Sequence, residues 1–276
     1  LYLAKYLNKS LFNVTVLTQN SNSGGLKEEF FNSGSKILDL GRDSSPSNKK
    51  AFNPFIAFKL LKVLKNEDID VIYLNAAPNL IYFLIARLFL KKSILQIGSF
   101  RALTFWKGNL GLKYQLLDDL FAQLLYSTSN YTVVNSLALK YNYNCKLKIS
   151  KNKPLLVINN GCEFNFNITK KVSEIRSELC LRDKDYFVLM AARLDPWKDF
   201  STLFESSKIL KEKDASIRII IMGDGPLKSE IKKSIISAKL EDTILLIGEK
   251  VDSINYINAC DISILSTHGE GFSNTI

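Results

Sequence analysis

Arg193 and Lys198 share one short polar stretch, Arg193-Leu-Asp-Pro-Trp-Lys198, which directly follows the apolar run Tyr186–Ala192. Two cations fixed in one loop can hold a phosphate and meet negative charge that develops on it. Three other apolar runs end in comparable turns. Ile217–Met222 ends in Gly223-Asp-Gly-Pro226, Thr243–Ile247 in Gly248-Glu-Lys-Val251, and Asp261–Ser266 in Thr267-His-Gly-Glu-Gly-Phe-Ser273. Gly223 and Gly225 either let their loop pass close under a ligand or simply make a tight strand-to-helix turn, and both readings stand. Gly271-Phe272-Ser273 opens an expected helix, whose first N–H groups would face an anion. Glu270, one residue earlier, is a carboxylate able to accept hydrogen bonds from hydroxyls. Cations, glycine turns and a carboxylate together suit a diphosphate that carries a sugar.

Bringing these turns together requires a particular fold. From Tyr186 onward the pattern is strand, loop, helix, repeated. A helix is predicted from about Asp199, with Phe200, Leu203, Phe204, Ser207 and Leu210 on one face, and another over about Leu227–Lys239. Strands alternating with helices pair in parallel through right-handed crossovers, so every loop named above falls on the carboxyl edge of one sheet. Open α/β sheets bind ligands at that edge. Gly223-Asp-Gly-Pro226 is not a dinucleotide fingerprint, because the third glycine of that pattern would fall at Lys228.

The first half repeats the alternation. A helix over residues 1–10 precedes the strand Asn13–Thr18, and a weaker strand is expected near Ile37–Leu40. Pro54–Lys65 is a basic amphipathic helix, able either to pack one face on a sheet or to lie on an anionic membrane. Strands Asp70–Asn75, Ser93–Ile97 and Tyr131–Ser136 are separated by helices over Pro78–Lys92 and about Leu112–Tyr126. The segment Pro154–Gly161 ends in Asn-Gly, where the glycine is expected to turn with positive φ as the chain leaves the first half.

The series Ala192-Arg-Leu, Lys-Asp-Phe200, Ile-Met-Gly-Asp-Gly-Pro226, Leu-Ile-Gly-Glu249 and Glu-Gly-Phe-Ser273 resembles the nucleotide-sugar domain of the family four retaining glycosyltransferases, most densely over residues 154–276. The resemblance implies an α/β protein of the GT-B fold, two Rossmann-like parallel-sheet domains facing a cleft. Residues 1–160 would hold the acceptor and 161–276 the donor, in a chain that lacks both termini and has a truncated second domain. By the same resemblance, Arg193 and Lys198 bind the donor's diphosphate and Glu270 contacts its sugar. A second glutamate, which holds the ribose in the family, would fall at position 278. Gly248, Glu249, Lys250 and Val251 would line the nucleotide base, with Gly271, Phe272 and Ser273 at the phosphates and Gly223 and Gly225 also on the donor side. Family members often carry a histidine after the strand matching Ser93–Ile97. This chain has Gly98-Ser99-Phe there, with Arg101 as the nearest acceptor-side substitute.

The implied activity is transfer of a sugar from a nucleotide-diphospho-sugar with retention, needing neither metal nor cofactor. The ending Glu-Gly-Phe-Ser-Asn-Thr-Ile276 resembles bacterial enzymes of surface-polysaccharide and lipid-linked glycan synthesis. It implies a glycan or polyprenyl-linked acceptor and a cytoplasmic protein, peripheral at the inner membrane face. The alternative is a catalytically inactive sugar-nucleotide-binding subunit, which the missing histidine favours.

Composition narrows the rest. Residues 1–160 hold 21 Lys and Arg against 9 Asp and Glu, a net of +12, while residues 161–276 hold 16 against 18, a net of −2. The basic half points to an anionic membrane, or to lysines that merely solvate its faces. Nucleic acid is set aside, since no aromatic–basic recognition motif accompanies the charge. Cys145, Cys162, Cys180 and Cys260 lack metal-site spacing and are expected as reduced thiols. His268 is the only histidine, which excludes a two-histidine metal site. The triplets Asp68-Ile-Asp70 and Asp183-Lys-Asp185 precede strands, on the edge opposite the expected site, and are not taken as metal ligands. The longest apolar run, Leu80–Leu90, contains Arg87 and is too short to span a bilayer.

Overall fold

A computed structural model describes residues 2–18, 32–41, 54–74, 77–102, 112–161 and 167–273. The chain divides into two compact units, one of Leu1–Arg101 with Leu116–Cys162, the other of Ala102–Gln115 with Glu163–Ile276.

In the first unit, α1 (Tyr2–Tyr6) precedes a parallel pair, β1 (Thr15–Thr18) and β2 (Lys36–Asp39). A four-stranded parallel sheet follows, in the order β3 (Val71–Leu74), β4 (Leu95–Phe100), β5 (Tyr131–Val134), β6 (Leu156–Val157). The helices are α2 (Pro54–Asn66), α3 (Ala77–Arg87), α4 (Leu112–Thr128) and α5 (Leu137–Lys146). Its core holds Leu80, Phe83, Phe100, Leu125, Leu139 and Tyr143, with Phe100 and Tyr143 stacked at 4.1 Å.

Two sequence expectations are corrected here, and one element is added. β4 runs on through Phe100 instead of ending at Ile97, so Gly98 and Ser99 are buried strand residues and not loop residues. The cause is packing: a Cβ on Gly98 would stand 2.6 Å from Ser129 Oγ and 3.0 Å from Leu125 Cγ, so α4 lies directly on this glycine. Gly161 does not take the positive φ expected of it. The helix α5 was not anticipated, because only Leu139 and Tyr143 of its polar sequence are buried. It starts at Ser136, whose hydroxyl accepts from the Leu139 N–H at 3.1 Å, an ordinary N-cap.

The second unit is a parallel sheet in the order β10 (Ile262–Ser263), β7 (Tyr186–Ala191), β8 (Ile217–Met222), β9 (Ile244–Gly248). Its central strands are apolar over Phe187–Ala191 and Ile219–Met222 because both faces are covered there. Val188, Met190, Ile219 and Ile221 pack on one side with Phe200 and Leu203 of α7 (Phe200–Lys213) and Ile231 and Ile235 of α8 (Lys228–Ser237). Phe187, Leu189, Ile220 and Met222 pack on the other side with Ile175 of α6 (Val172–Glu178) and Tyr256 and Ala259 of α9 (Ser253–Ala259). Each strand therefore ends in a loop at the same carboxyl edge. The run Asp261–Ser266 forms only the short β10, although the Ile264 N–H still donates to the Leu189 carbonyl at 2.9 Å.

The opposite edge carries Asp185, whose side chain is 1% exposed. It accepts from the Arg182 main-chain N–H at 2.9 Å and from its guanidinium at 2.7 Å, with Arg218 Nε at 3.8 Å. The Arg182 hydrogen bond, above all, holds this carboxyl at about 2, below the ordinary aspartate value. The pair therefore stabilises the folded chain above the unfolded aspartate range, and that contribution is lost as pH falls from about 4 through 2. Asp185→Ala is expected to lower unfolding free energy by about 2 kcal/mol at neutral pH and by less in acid, read from urea titrations at both pH values.

Candidate functional site

At the carboxyl edge of the second unit, four loops meet through main-chain atoms. The loop after β7 and the loop after β8 touch at their backbones. The Ala192 N–H donates to the Met222 carbonyl at 2.9 Å and the Leu194 N–H to the Asp224 carbonyl at 3.0 Å, while Leu194 accepts from the Leu227 N–H at 3.1 Å. This approach is possible only with glycine. A Cβ at Gly223, whose φ is +145°, would fall on the Ala192 carbonyl oxygen, and one at Gly225 on the Leu194 carbonyl. The Gly223 N–H reaches onward to the Gly248 carbonyl at 2.8 Å, which adds the end of β9. Gly248 itself has φ +75°.

The fourth loop, after β10, joins through Trp197. Its carbonyl accepts from the His268 N–H at 3.0 Å and from Thr267 Oγ1 at 3.0 Å, and the Asp199 N–H donates to the Ser266 carbonyl at 3.2 Å. The side chains complete the join: Lys198 Nζ pairs with Glu270 Oε1, the lysine side chain 14% exposed and the glutamate 32%. Lys198 and Glu270, expected at one site, are thus brought into contact. Arg193 lies in the same loop but stands 67% exposed, with Nε 3.8 Å from Asp195 Oδ2. Asp195 is 7% exposed and shapes the loop, its Oδ1 accepting from the Trp197 N–H at 3.1 Å.

Asp199 was read from sequence only as a helix start. It caps α7, accepting from the Thr202 N–H at 3.0 Å and from the Ser201 and Thr202 hydroxyls, each at 2.6 Å. Those bonds, that of Ser201 first, hold its carboxyl at about 2. His268 Nδ1 lies 3.8 Å away. An Asp followed by Ser and Thr before an apolar face is the sequence signal for such a cap. The part played by the Trp197 carbonyl has no signal, since any residue offers one.

Other expected members are placed apart from the Lys198–Glu270 pair. Lys250 is bound to α6 and α9: its Nζ is 3.1 Å from Glu178 Oε1 and 5.3 Å from the Tyr256 ring centre. Glu178 also accepts from the Tyr256 hydroxyl and from Lys170 at 3.1 Å, and these partners, the tyrosine foremost, hold its carboxyl at about 2. The network pins the turn after β9, so Lys250 acts there as an anchor. Glu249 and Val251 are exposed in that turn. Gly271 is buried and Phe272 is 38% exposed; the helix expected after Ser273 lies outside the described residues.

On the first unit, Arg101 is the first residue beyond β4. Its Nη2 donates to Asn160 Oδ1 at 3.1 Å, Asn135 Nδ2 reaches the Arg101 carbonyl at 3.5 Å, and Asn159 Nδ2 donates to the Asn135 carbonyl at 3.0 Å. Strand ends β4, β5 and β6 are therefore cross-linked by polar side chains. Gly98 lies beneath α4, and Ser99 is buried within β4. Asp68 and Asp70 both pair with Lys92 at 2.7 Å. Among the described residues, no group of three or more His, Cys, Asp or Glu is assembled that could hold a metal ion.

A glycosyltransferase origin accounts for this arrangement, and comparison with known proteins decides it. Residues 1–166 match the model of Glycosyltransferase Family 4, and residues 171–276 that of Glycosyl transferases group 1. The chain belongs to Glycosyltransferase Family 4. It is 30% identical over 227 residues to the Campylobacter jejuni N-acetylgalactosamine-N,N'-diacetylbacillosaminyl-diphospho-undecaprenol 4-alpha-N-acetylgalactosaminyltransferase, covering 81% of this chain and 58% of that protein. Among solved structures it resembles Anabaena Alr3699/HepE in complex with UDP and glucose (TM-score 0.71, 18% identity, 95% of this chain and 69% of that one). It also resembles a sucrose-phosphate synthase from Thermosynechococcus elongatus (TM-score 0.75, 13% identity, 99% and 70%). The fold is that of the GT-B glycosyltransferases, and this family 4 chain spans about three fifths of the length of the curated relatives it matches.

The glycine contacts give a direct test. Gly223→Ala and Gly225→Ala should each cost about 1–3 kcal/mol in a urea titration, because the added methyl meets backbone and not a movable side chain. Gly161→Ala, where a Cβ meets nothing within 4 Å, should stay within about 0.5 kcal/mol of the parent.

Proposed function

We propose that the protein transfers a sugar, with retention, from a nucleotide-diphospho-sugar to a glycan built on a polyprenyl diphosphate, in bacterial cell-surface polysaccharide synthesis. The observation that carries this reading is the joining of four strand-end loops around Lys198 and Glu270, with Arg193 exposed beside them. Loss of a nucleoside diphosphate leaves growing negative charge on phosphate oxygens. Lys198 and Arg193 are the groups that would stabilise that charge, supported by the N–H groups of the Gly271–Ser273 turn. Glu270 would accept hydrogen bonds from the donor sugar. The donor nucleotide we assign as uridine diphosphate, following the ligand named with the Anabaena structure. The acceptor class follows the diphospho-undecaprenol in the name of the Campylobacter relative.

In this reading the second unit holds the donor and the first the acceptor, with Arg101 at the acceptor side. The cations replace a divalent ion at the leaving group; both Asp-x-Asp triplets have carboxylates already committed to cations, Asp185 to Arg182 and Asp68 and Asp70 to Lys92. A cytoplasmic protein, peripheral at the inner face of the membrane, suits such an acceptor. Among the described residues, no helix is long and apolar enough to cross a membrane.

The test is release of uridine diphosphate from UDP-sugars in the presence of a polyprenyl-diphosphate saccharide. Arg193→Ala and Lys198→Ala should each lower kcat by about 10²–10³-fold, the range for removing one fixed donor from a developing oxyanion. Unchanged turnover in both variants would count against the site. A parent that binds uridine diphosphate, seen as a raised melting temperature, but never turns over would point to the inactive sugar-nucleotide-binding subunit instead.

A further inference from the structure

In the second unit one carboxylate gathers donors from three other stretches of chain. Glu178, the last residue of α6, accepts from the Tyr256 hydroxyl of α9, from Lys170 Nζ at 3.1 Å and from Lys250 Nζ at 3.1 Å. Lys170 also pairs with Asp252 at 3.1 Å. The buried Asn255 ties the same corner together: its Oδ1 accepts from the Thr169 and Lys170 N–H groups at 2.9 and 3.1 Å, and its Nδ2 donates to Asp252 Oδ2 at 3.3 Å. The turn after β9 is therefore held at three points. Gly248 is bonded to Gly223, Lys250 to Glu178, and Asp252 to Lys170 and Asn255. The loops after β7, β8 and β10 are joined to one another through main chain, whereas this turn is fixed by side chains of α6, α9 and the segment before α6. Partly exposed ion pairs contribute little to stability one by one, so stability alone is a poor account of four stretches converging on one turn.

We propose that Glu178 is a positioning residue for nucleoside recognition: through Lys250 it keeps the turn after β9 in the conformation that receives the base of the donor. The inference rests on the transferase reading and deepens it. Arg193 and Lys198 stand in the loop after β7 and Glu270 in the loop after β10. The sheet order β10-β7-β8-β9 places the end of β9 two strands from β7, about 10 Å away. A nucleoside on a diphosphate held at Lys198 can reach that far along the carboxyl edge. Between the two, positions 223 and 225 are glycines and put no side chain in its path. The turn itself offers exposed Glu249 and Val251 and its peptide groups, while its one lysine is committed to Glu178. Such a surface suits a neutral, hydrogen-bonding base and not a further phosphate. Holding it in place beforehand removes the cost of ordering the turn when the donor binds.

Titration calorimetry of the full chain with uridine diphosphate and with inorganic diphosphate tests it, alongside KM and kcat for a UDP-sugar. Glu178→Gln keeps an acceptor for Tyr256 but loses the charge that binds Lys250, and Lys250→Met removes the ammonium while keeping the stem. Each should weaken uridine diphosphate binding about tenfold, and combining them should add little, because both cut one link. Inorganic diphosphate has no base to present to the turn and should bind both variants as it binds the parent. For Glu178→Gln the loss should appear in KM with kcat near that of the parent, the mark of binding removed equally from ground and transition states. Lys250→Met leaves Glu178 its bonds to Tyr256 and Lys170, so it is expected to keep the parent's melting curve and carries the test if Glu178→Gln unfolds. Uridine diphosphate affinity that matches the parent in Lys250→Met, or an equal loss for both ligands, would overturn the inference and leave the transferase reading standing. A parent that binds neither ligand would overturn both.

Discussion

The second unit depends on two places where backbone meets backbone with no room for a side chain. At Gly223 and Gly225 the loop after β8 lies against the carbonyls of Ala192 and Leu194, and the same segments exchange N–H···O bonds at 3.0–3.1 Å. Main chain is stiffer than side chain, so a contact of this kind fixes the relative height of two loops closely. Everything borne by the loop after β7 inherits that precision. Asp195 shapes it from within, Asp199 fixes where α7 starts, and the Trp197 carbonyl gives the loop after β10 its two points of attachment. Lys198 meets Glu270 because these backbone attachments have already set both loops in place.

Much of this was legible in the sequence because it follows from burial. Runs such as Phe187–Met190 and Ile219–Met222 are apolar at every position, which only a sheet covered on both faces requires, and parallel pairing then sends every loop to one edge. The glycines were legible as special but not as to why. Gly223 and Gly225 turned out to serve loop-to-loop approach, and Gly98, which in sequence also follows an apolar run, serves helix-to-strand approach under Leu125 and Ser129. A single glycine looks the same in both settings. What separates them is whether the residues just after it are buried: Phe100 is, and Asp224 is not.

Polar networks were the least legible. The grouping of Glu178, Tyr256, Lys170 and Lys250 draws on four stretches of chain, and nothing local marks any one of them as a partner of the others. Lys250 shows the consequence. Its position in a strand-end loop suggested a ligand contact, yet a carboxylate and an aromatic ring from the adjoining helices both attract its ammonium, and a long flexible side chain goes where its charge is best compensated. Arg101 shows the converse. Its guanidinium meets Asn160 of the Asn-Gly segment, joining two features that had been read separately.

The pairing of Lys198 with Glu270 bears on how a diphosphate sugar would be selected under the proposed reading. A lone ammonium at 14% exposure would lack a partner for its desolvated charge, whereas a paired one is held in orientation without a ligand. Under that reading an incoming diphosphate would compete with Glu270 for the ammonium. The displaced carboxylate would then need new donors, which sugar hydroxyls attached to the same phosphate would supply at no extra cost in translational freedom. A bare phosphate offers only the first half of the exchange and would leave Glu270 undersatisfied beside an anion. The ion pair would thus discriminate against free nucleotide and phosphate not by shape but by requiring both partners of the pair to be satisfied together, while Arg193, two-thirds exposed with Asp195 3.8 Å away, would supply attraction to any anion that approaches.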